Sequence, residues 1–379
     1  LSRHTALAQM NSYIKRINLD LSTMNFVHIA GSKGKGSTSS FVEQILHTHG
    51  YKTGLYTSPH LISLNERFRM NTSSLDEKKF ITYFWQVWDR LQETYEHDVV
   101  IDPQTNEKCY KYPPLPSYFA MLTLTAFWAY KQENVDVVVL EVGLGGRLDS
   151  TNVITNPLVT AITTLSLEHT EILGKTIDRI AYEKSGIFKK NAPIVSFPQE
   201  KLAWDVILHE AARIGQTPIL INPKAFDKHV KIGLSGEYQS QNASLSLLLS
   251  AIAINELNKR NIFPREKYSI ISKQGQNINS IYENLVQSLI TYKPQNTSSL
   301  SNTNDNQHEK IILQNSHKNS ENISNNIFNN NNHVIDDDIY MKNLLHTLES
   351  FDYFRQKDTR ILQDTKIHPK PASDASDAS

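Results

Sequence analysis

The segment Gly31-Ser32-Lys33-Gly34-Lys35-Gly36-Ser37 constrains this chain more than any other. It follows Phe26-Val27-His28-Ile29-Ala30, an apolar run that reads as a buried strand. It precedes Phe41-Val42 and Ile45-Leu46, whose four-residue spacing gives a helix one apolar face. Strand, glycine-rich turn and helix in that order wrap phosphate. The glycines let backbone N–H groups point inward, the helix N-terminus adds positive potential, Lys35 reaches the outer phosphates, and Ser37, followed by Thr38, can ligate Mg²⁺. The spacing departs from G-x-x-x-x-G-K-[ST]: the leading gap is two residues shorter, and Gly36 stands between Lys35 and Ser37. A plain glycine corner would need neither the two lysines nor the serine. The loop points to a nucleoside triphosphate.

At 379 residues the chain exceeds the size at which one core keeps growing, so length alone suits two domains. Lys+Arg and Asp+Glu both count 39, so net charge argues for neither nucleic acid nor an acidic membrane surface. A single cysteine, Cys109, excludes an internal disulfide framework and suits a reducing compartment. The most apolar stretch, Tyr118 to Tyr130, contains Thr123 and Thr125 and is too short to span a bilayer, so it reads as a buried helix. The chain begins at Leu1 without a signal-peptide pattern, which suits a processed or truncated start. The expectation is a soluble monomer, cytoplasmic or mitochondrial, with no nucleic-acid or membrane partner.

Between residues 24 and 257 apolar strands alternate with helical patterns. Val135 to Leu140 is a β-branched run ending in Glu141, as a central parallel strand should be. Val159 to Thr163 and Pro193 to Phe197 read as further strands; Phe80, Phe84, Val87 and Leu91 mark one amphipathic helix, and Leu245 to Leu257 another. The alternation predicts an α/β fold with a doubly wound, mostly parallel sheet and ligands at the carboxyl ends of its strands, where Gly31 and Glu141 both fall. From Asn296 the character changes: Asn, Ser and Gln dominate to Asn332, a composition that cannot offset the entropy of ordering. The organisation expected is a nucleotide- and substrate-binding domain at 1–295, an Asn-rich disordered segment at 296–333, and a tail at 334–379 with one short helix, Ile339 to Phe354.

The loop, together with Tyr56-Thr57-Ser58-Pro59-His60-Leu61 and Asn65-Glu66-Arg67, resembles folylpolyglutamate synthase and dihydrofolate synthase, members of the Mur ligase superfamily. The resemblance continues through Leu140 to Asp149, Leu167 to Gly174, Glu183 to Phe188 and Leu234 to Ala243, in the family's order. It implies the Mur ligase central-domain fold and an ATP-dependent ligase that joins L-glutamate to the carboxylate of dihydropteroate or of a reduced folate, through an acyl phosphate. The Arg147-Leu148-Asp149 segment resembles versions that use dihydropteroate, and Tyr83-Phe84-Trp85 resembles eukaryotic folylpolyglutamate synthases, so a bifunctional type fits both. The family's smaller second domain, with its Asp-Gly-Ala-His-Asn-like motif, is not found. The expectation is therefore an N-terminal piece or a faulty gene reading that holds ATP without ligating glutamate. A Mur-type ligase acting on a cell-wall precursor is disfavoured, since 23 residues before the first strand leave no room for a UDP-binding domain.

Carried residue by residue, the resemblance implies ATP contacts from Gly31, Ser32, Lys33, Gly34, Lys35, Gly36, Ser37, Thr38, Gln239 and Asn242. Two Mg²⁺ ions, with a monovalent cation also allowed, would be held by Ser37, Glu141, His169 and a carbamylated Lys184, which composition alone reads as a surface lysine. Lys35, His169 and Lys184 would be catalytic. Glu168 replaces the family's aspartate before this histidine and keeps its charge. Folate or pterin would be met by Ser58, Pro59, His60, Phe119, Arg147 and Asp149.

Overall fold

A computed structural model describes residues 5–104, 106–221, 234, 236 and 238–265. The segment expected to be disordered at 296–333 and the tail at 334–379 lie outside the described residues. In chain order the elements are α1 (Ala6–Arg16), β1 (Phe26–Ala30), α2 (Lys35–Thr48), β2 (Thr53–Tyr56), β3 (Phe68–Met70), β4 (Ser73–Ser74), α3 (Glu77–Glu93), β5 (Val99–Ile101), β6 (Lys108–Tyr110), α4 (Tyr118–Gln132), β7 (Val137–Glu141), β8 (Val159–Ile162), α5 (Thr170–Leu173), α6 (Ile177–Ser185), β9 (Ile194–Ser196), α7 (Lys201–Arg213), β10 (Ile219–Leu220) and α8 (Tyr238–Lys259).

Eight strands form one sheet in the order β10-β9-β8-β1-β7-β2-β3-β4. Every pair from β10 to β2 is parallel, and β3 and β4 add an antiparallel edge. The chain leaves β1 for β2 on one side and later fills β8, β9 and β10 on the other. The carboxyl end of β1 is thus a switch point, where open α/β sheets hold ligands. Register places Ile29 opposite Glu141 and Ala30 opposite Ile162, so the glycine loop and Glu141 leave the sheet at one level.

The strand pattern explains the layering. Val27, Ile29, Val137 and Val139 face one way and join Phe41, Val42, Leu245 and Leu248, burying α2 and α8 on that side. Phe26, Val138 and Leu140 face the other way and join Tyr13, Phe80 and Leu124 under α1, α3 and α4. Both faces are covered, which is why these strands read as unbroken apolar runs. A third cluster sets α7 and the segment after α6 against the carboxyl ends of β1 and β8 through Ala30, Ile162, Ile187, Phe188 and Ile207. Each large side chain buried this way contributes about 1.5–3 kcal/mol, and the row Leu245, Leu248, Leu249 and Ile252 seats α8 firmly. That helix begins at Tyr238, ahead of the apolar pattern at Leu245, because its first turns are polar and serve the loop. Of the stretch expected to be a buried helix, Ala120 to Tyr130 is buried throughout, whereas Tyr118 at its start is exposed because it stands at the helix's first turn beside the site.

His28 sits wholly buried in β1, its Nε2 2.9 Å from Thr151 Oγ1, and burial drives its pKa down to about 3. Thr151 Oγ1 gives its proton to Asp149 at 2.6 Å, so His28 Nε2 is the donor toward it. The folded value lies below the unfolded one near 6.5, so the unfolded chain takes up the proton first and stability falls as pH drops from about 6.5 toward 3. The expected loss is about 1.4 kcal/mol per pH unit within that window. Half-buried His49, held near 4 by desolvation, adds a loss of the same sign. Urea unfolding of wild type and His28→Asn from pH 7 to 4.5 isolates the His28 share: the gap between them should shrink as pH falls, and a constant gap would refute it.

Candidate active site

The glycine loop is held in an unusual path. Gly31 has φ +151°, and a Cβ there would lie 1.8 Å from Thr163 Oγ1. Ser32 and Lys33 both donate their backbone N–H to Thr164 O, at 2.9 and 3.1 Å, so these two amides are turned onto β8's exit instead of toward a ligand. The anion-facing donors are therefore the backbone N–H groups of Lys35, Gly36 and Ser37 in α2's first turn, since the Thr38 N–H already donates to Gly34 O at 2.9 Å. Gly34 adopts φ +86°, and a Cβ there would strike Asn242 Oδ1 at 2.5 Å. Asn242 in turn donates to Gln239 Oε1 at 2.9 Å, and Gln239 Nε2 lies 3.4 Å from Ser37 Oγ. The polar first turns of α8 thus brace the loop at both Gly34 and Ser37.

Two ammonium groups close the loop from its other side. Lys35 Nζ donates to Gly31 O at 2.9 Å and to Ser32 O at 3.3 Å, so it is folded back along its own turn. Lys184 Nζ donates to the same Gly31 O at 2.7 Å and pairs with Glu168 Oε1 at 2.6 Å. Lys184 is 2% exposed, which overturns the surface-lysine reading of composition. Burial lowers its pKa, with Glu168 opposing, and Glu168 is held below the usual carboxylate range by Lys184 against its own desolvation. Spacing in sequence gave no hint of this pair's burial, because it arises where α6 meets the loop.

Glu141 ends β7 and is 5% exposed. Its Oε2 accepts the Ser58 N–H at 3.1 Å and lies 3.6 Å from where a Cβ of Gly36 would stand. Burial raises its pKa to about 7, with Lys35 and the Ser58 N–H opposing. Buried Arg67 also counters that rise and donates from Nε to His60 Nδ1 at 2.9 Å. It belongs to the Asn65-Glu66-Arg67 block, but nothing in the sequence marked it as Glu141's neighbour. Pro59 is exposed, and Ser58 and His60 are half-buried on the same loop. Phe119 packs on Gly143, where a Cβ would come within 2.4 Å of its ring, and lies 6.0 Å from the Tyr56 ring.

Three expected site residues have other placements. His169 is exposed, at the left-handed residue before α5, and its side chain caps nothing there. Asp149 is buried and bonded within its own turn: Oδ1 takes Thr151 N and Oγ1 at 3.0 and 2.6 Å, and Oδ2 takes Leu144 N at 2.9 Å. These bonds fasten the glycine-rich turn after β7 and leave Oδ2 with acceptor capacity to spare. Arg147 turns to α6 and α7: its guanidinium stacks 3.8 Å from the Tyr182 ring centre and pairs with Glu210 at 2.6 Å.

For a divalent cation, Ser37 Oγ and the Glu141 carboxylate supply hard oxygens beside α2's positive end, which suits Mg²⁺. Among the described residues no three His, Cys, Asp or Glu side chains converge on one point. A second ion would need a further anionic ligand, and Lys184 as an ammonium supplies none. No helix among the described residues is long and apolar enough to cross a membrane.

No protein-family model matches the sequence. Curated relatives do. A folylpolyglutamate synthase of Arabidopsis thaliana is 40% identical over 266 residues, 69% of this chain and 44% of that protein. The mitochondrial folylpolyglutamate synthase of Homo sapiens is 39% identical over 254 residues, 65% of this chain and 41% of that protein. The chain spans under half the length of these relatives. Among solved structures, Mycobacterium tuberculosis folylpolyglutamate synthase complexed with ADP and AMPPCP is 27% identical with a TM-score of 0.56, over 65% of this chain and 58% of that one. An FPGS-AMPPCP-folate complex shares the fold at TM-score 0.60 and 23% identity, over 79% of this chain and 71% of that one.

Proposed function

This chain belongs to the folylpolyglutamate synthase family over the residues it shares with those relatives, and from that premise we propose that it forms the ATP-binding part of a folate–glutamate ligase. The observation that carries this reading is the convergence of Lys35, Ser37 and Glu141 at the uncapped start of α2. The reaction would move the γ-phosphoryl of ATP to a folate or dihydropteroate carboxylate, and the amine of L-glutamate would then displace phosphate to give the amide.

The chain's own residues carry defined tasks. The first-turn amides of α2 bind the phosphates, and Lys35 leaves the Gly31 and Ser32 carbonyls to meet the outer phosphate oxygens. Gln239 and Asn242 hold the loop in the shape that exposes those amides. Ser37 and Glu141 would hold Mg²⁺, which when bound neutralises phosphate charge and favours phosphoryl transfer. The Ser58–His60 loop borders Glu141 and Phe119 packs on Gly143 two residues further along, and a folate carboxylate would have to lie beside Glu141. One cysteine in the whole chain suits the reducing interior of cytoplasm or mitochondrion, and mitochondrial relatives exist. The test is to supply ATP, Mg²⁺, L-glutamate and either a reduced folate or dihydropteroate, and to weigh the products. A folate heavier by one glutamyl residue is expected of a protein carrying this chain with the rest of its relatives' length. Failure of the chain to bind Mg·ATP would overturn the reading outright.

Lys184 would be carbamylated in the working enzyme, exchanging its ammonium for the anionic ligand that a second ion needs. Carbamylation requires the neutral amine, which burial favours at this position. A carbamate carbon signal should appear when the protein is equilibrated with ¹³C-bicarbonate and vanish in Lys184→Ala. In the full-length enzyme, stripping CO₂ should lower turnover, and a short carboxylic acid should partly restore Lys184→Ala. Absence of the carbamate signal in wild type would leave Lys184 as an amine paired with Glu168.

A further inference from the structure

We propose that Arg147 is a positioning residue, which with Tyr182 and Glu210 clamps the end of α6 and thereby fixes Lys184 against the phosphate loop. The last turn of any helix presents carbonyls without intrahelical partners and the negative end of the dipole. Arg147 answers both at α6. Its backbone N–H donates to Glu183 O at 2.7 Å, and its Nη2 donates to Tyr182 O at 2.9 Å. The next helical residue is Lys184, whose Nζ reaches Gly31 O.

Contact at this joint is close enough to transmit a shift. A Cβ on Gly146 would lie 2.9 Å from both Glu183 O and Lys184 O, and one on Gly186 would lie 2.4 Å from the Arg147 Cα. Asn152 Nδ2 stitches the same seam, donating to Arg147 O and Gly186 O at 3.0 Å each. The guanidinium is then held from outside by the Tyr182 ring and by Glu210 of α7, a carboxylate only 5% exposed. An arginine whose charge, ring contact and backbone amide all meet α6 and α7 is placed to align that helix end. The role rests on the proposed function only in that Lys184 serves the ATP site.

The test is competitive acetylation of lysines in native protein in CO₂-free buffer, read by mass spectrometry, for wild type, Glu210→Gln and Arg147→Lys, with Mg·ATP affinity and urea unfolding measured in parallel. Releasing a cap of ordinary strength should raise the labelling rate of Lys184 about fivefold, while Lys52 and Lys259 stay as in wild type. Mg·ATP affinity should fall severalfold in the same variants. Arg147→Lys keeps a charge but loses the planar fork, so it should move Lys184 in the same direction by less. Unchanged Lys184 labelling in a folded variant, or an equal rise at Lys52 and Lys259, overturns the clamp. If Glu210→Gln does not fold, Tyr182→Leu at a ring 40% exposed cuts the same link and is judged by the same readout. Wild type that fails to bind Mg·ATP refutes the proposed function, and the labelling still decides the clamp.

Discussion

Replacing Lys35 by alanine should weaken Mg·ATP binding about 10–100-fold, the usual worth of one charge-assisted hydrogen bond to a phosphate. In a full-length enzyme it should slow phosphoryl transfer a further 10²–10³-fold or so, as loss of one preorganised stabiliser does. Stability should hardly change. The Lys35 ammonium shares Gly31 O with Lys184, so removing it also relieves a like-charge approach, and alanine is the better helix former at α2's first residue. Calorimetric titration of Mg·ATP into wild type and variant, with urea unfolding alongside, separates the two effects. Unchanged affinity would mean that the loop does not grip phosphate through Lys35. A large loss of stability would mean that its bonds to Gly31 O and Ser32 O hold the turn itself.

Gly31→Ala should cost more in stability than any other single change in the loop. Two penalties combine: the backbone at φ +151° is one that side chains rarely adopt, and the new Cβ would stand 1.8 Å from Thr163 Oγ1 and 3.1 Å from Thr163 N. Overpacking a filled site costs about 1–3 kcal/mol, and a strained backbone residue about 1–3 kcal/mol more. The sum is a large part of an ordinary domain's stability of about 5–15 kcal/mol. Mg·ATP binding should be lost as well, because Gly31 O is the acceptor on which both lysines rest. Thr163→Ala should relieve the part of the steric share that comes from Oγ1 and leave the contact with the residue 163 Cβ at 2.9 Å and the backbone share, since Thr163 Oγ1 has no partner to lose among the described residues. Urea midpoints for the four proteins of this cycle give the coupling. Additive losses would show that the contact with Thr163 is not what fixes glycine here.

The elements with strong local signals are legible in the order of residues alone. Val137 to Glu141 has to be a central strand because it is apolar on both faces, and the turn from Ala30 to Lys35 has to break the strand because its glycines and lysines cannot be buried together. Lys35, Ser37 and Glu141 are readable for the same reason: each sits within a few residues of a strand end, so chain order alone brings them to the switch point. Boundaries are less sharp. The start of α8 at Tyr238 carries Gln239 and Asn242, whose polar side chains face the loop and so leave no apolar period to read.

What the sequence by itself determined is the strand–loop–helix unit and the parallel sheet around it, because periodicity and glycine placement are local properties. Only the tertiary structure decided which polar groups meet. Lys184 and Glu168 are 16 residues apart, and Arg147 and Glu210 are 63 apart, and each pair forms only because α6 packs between the loop after β7 and α7. Asp149 and Arg147 stand in a block shared with a family, which says nothing of the partners they meet inside the fold. In the fold buried Asp149 bonds its own turn, as a buried carboxylate must satisfy the donors around it, and half-buried Arg147 donates to the end of α6. Partners of that kind depend on crossings between elements distant in sequence, which no residue's neighbours in the chain encode.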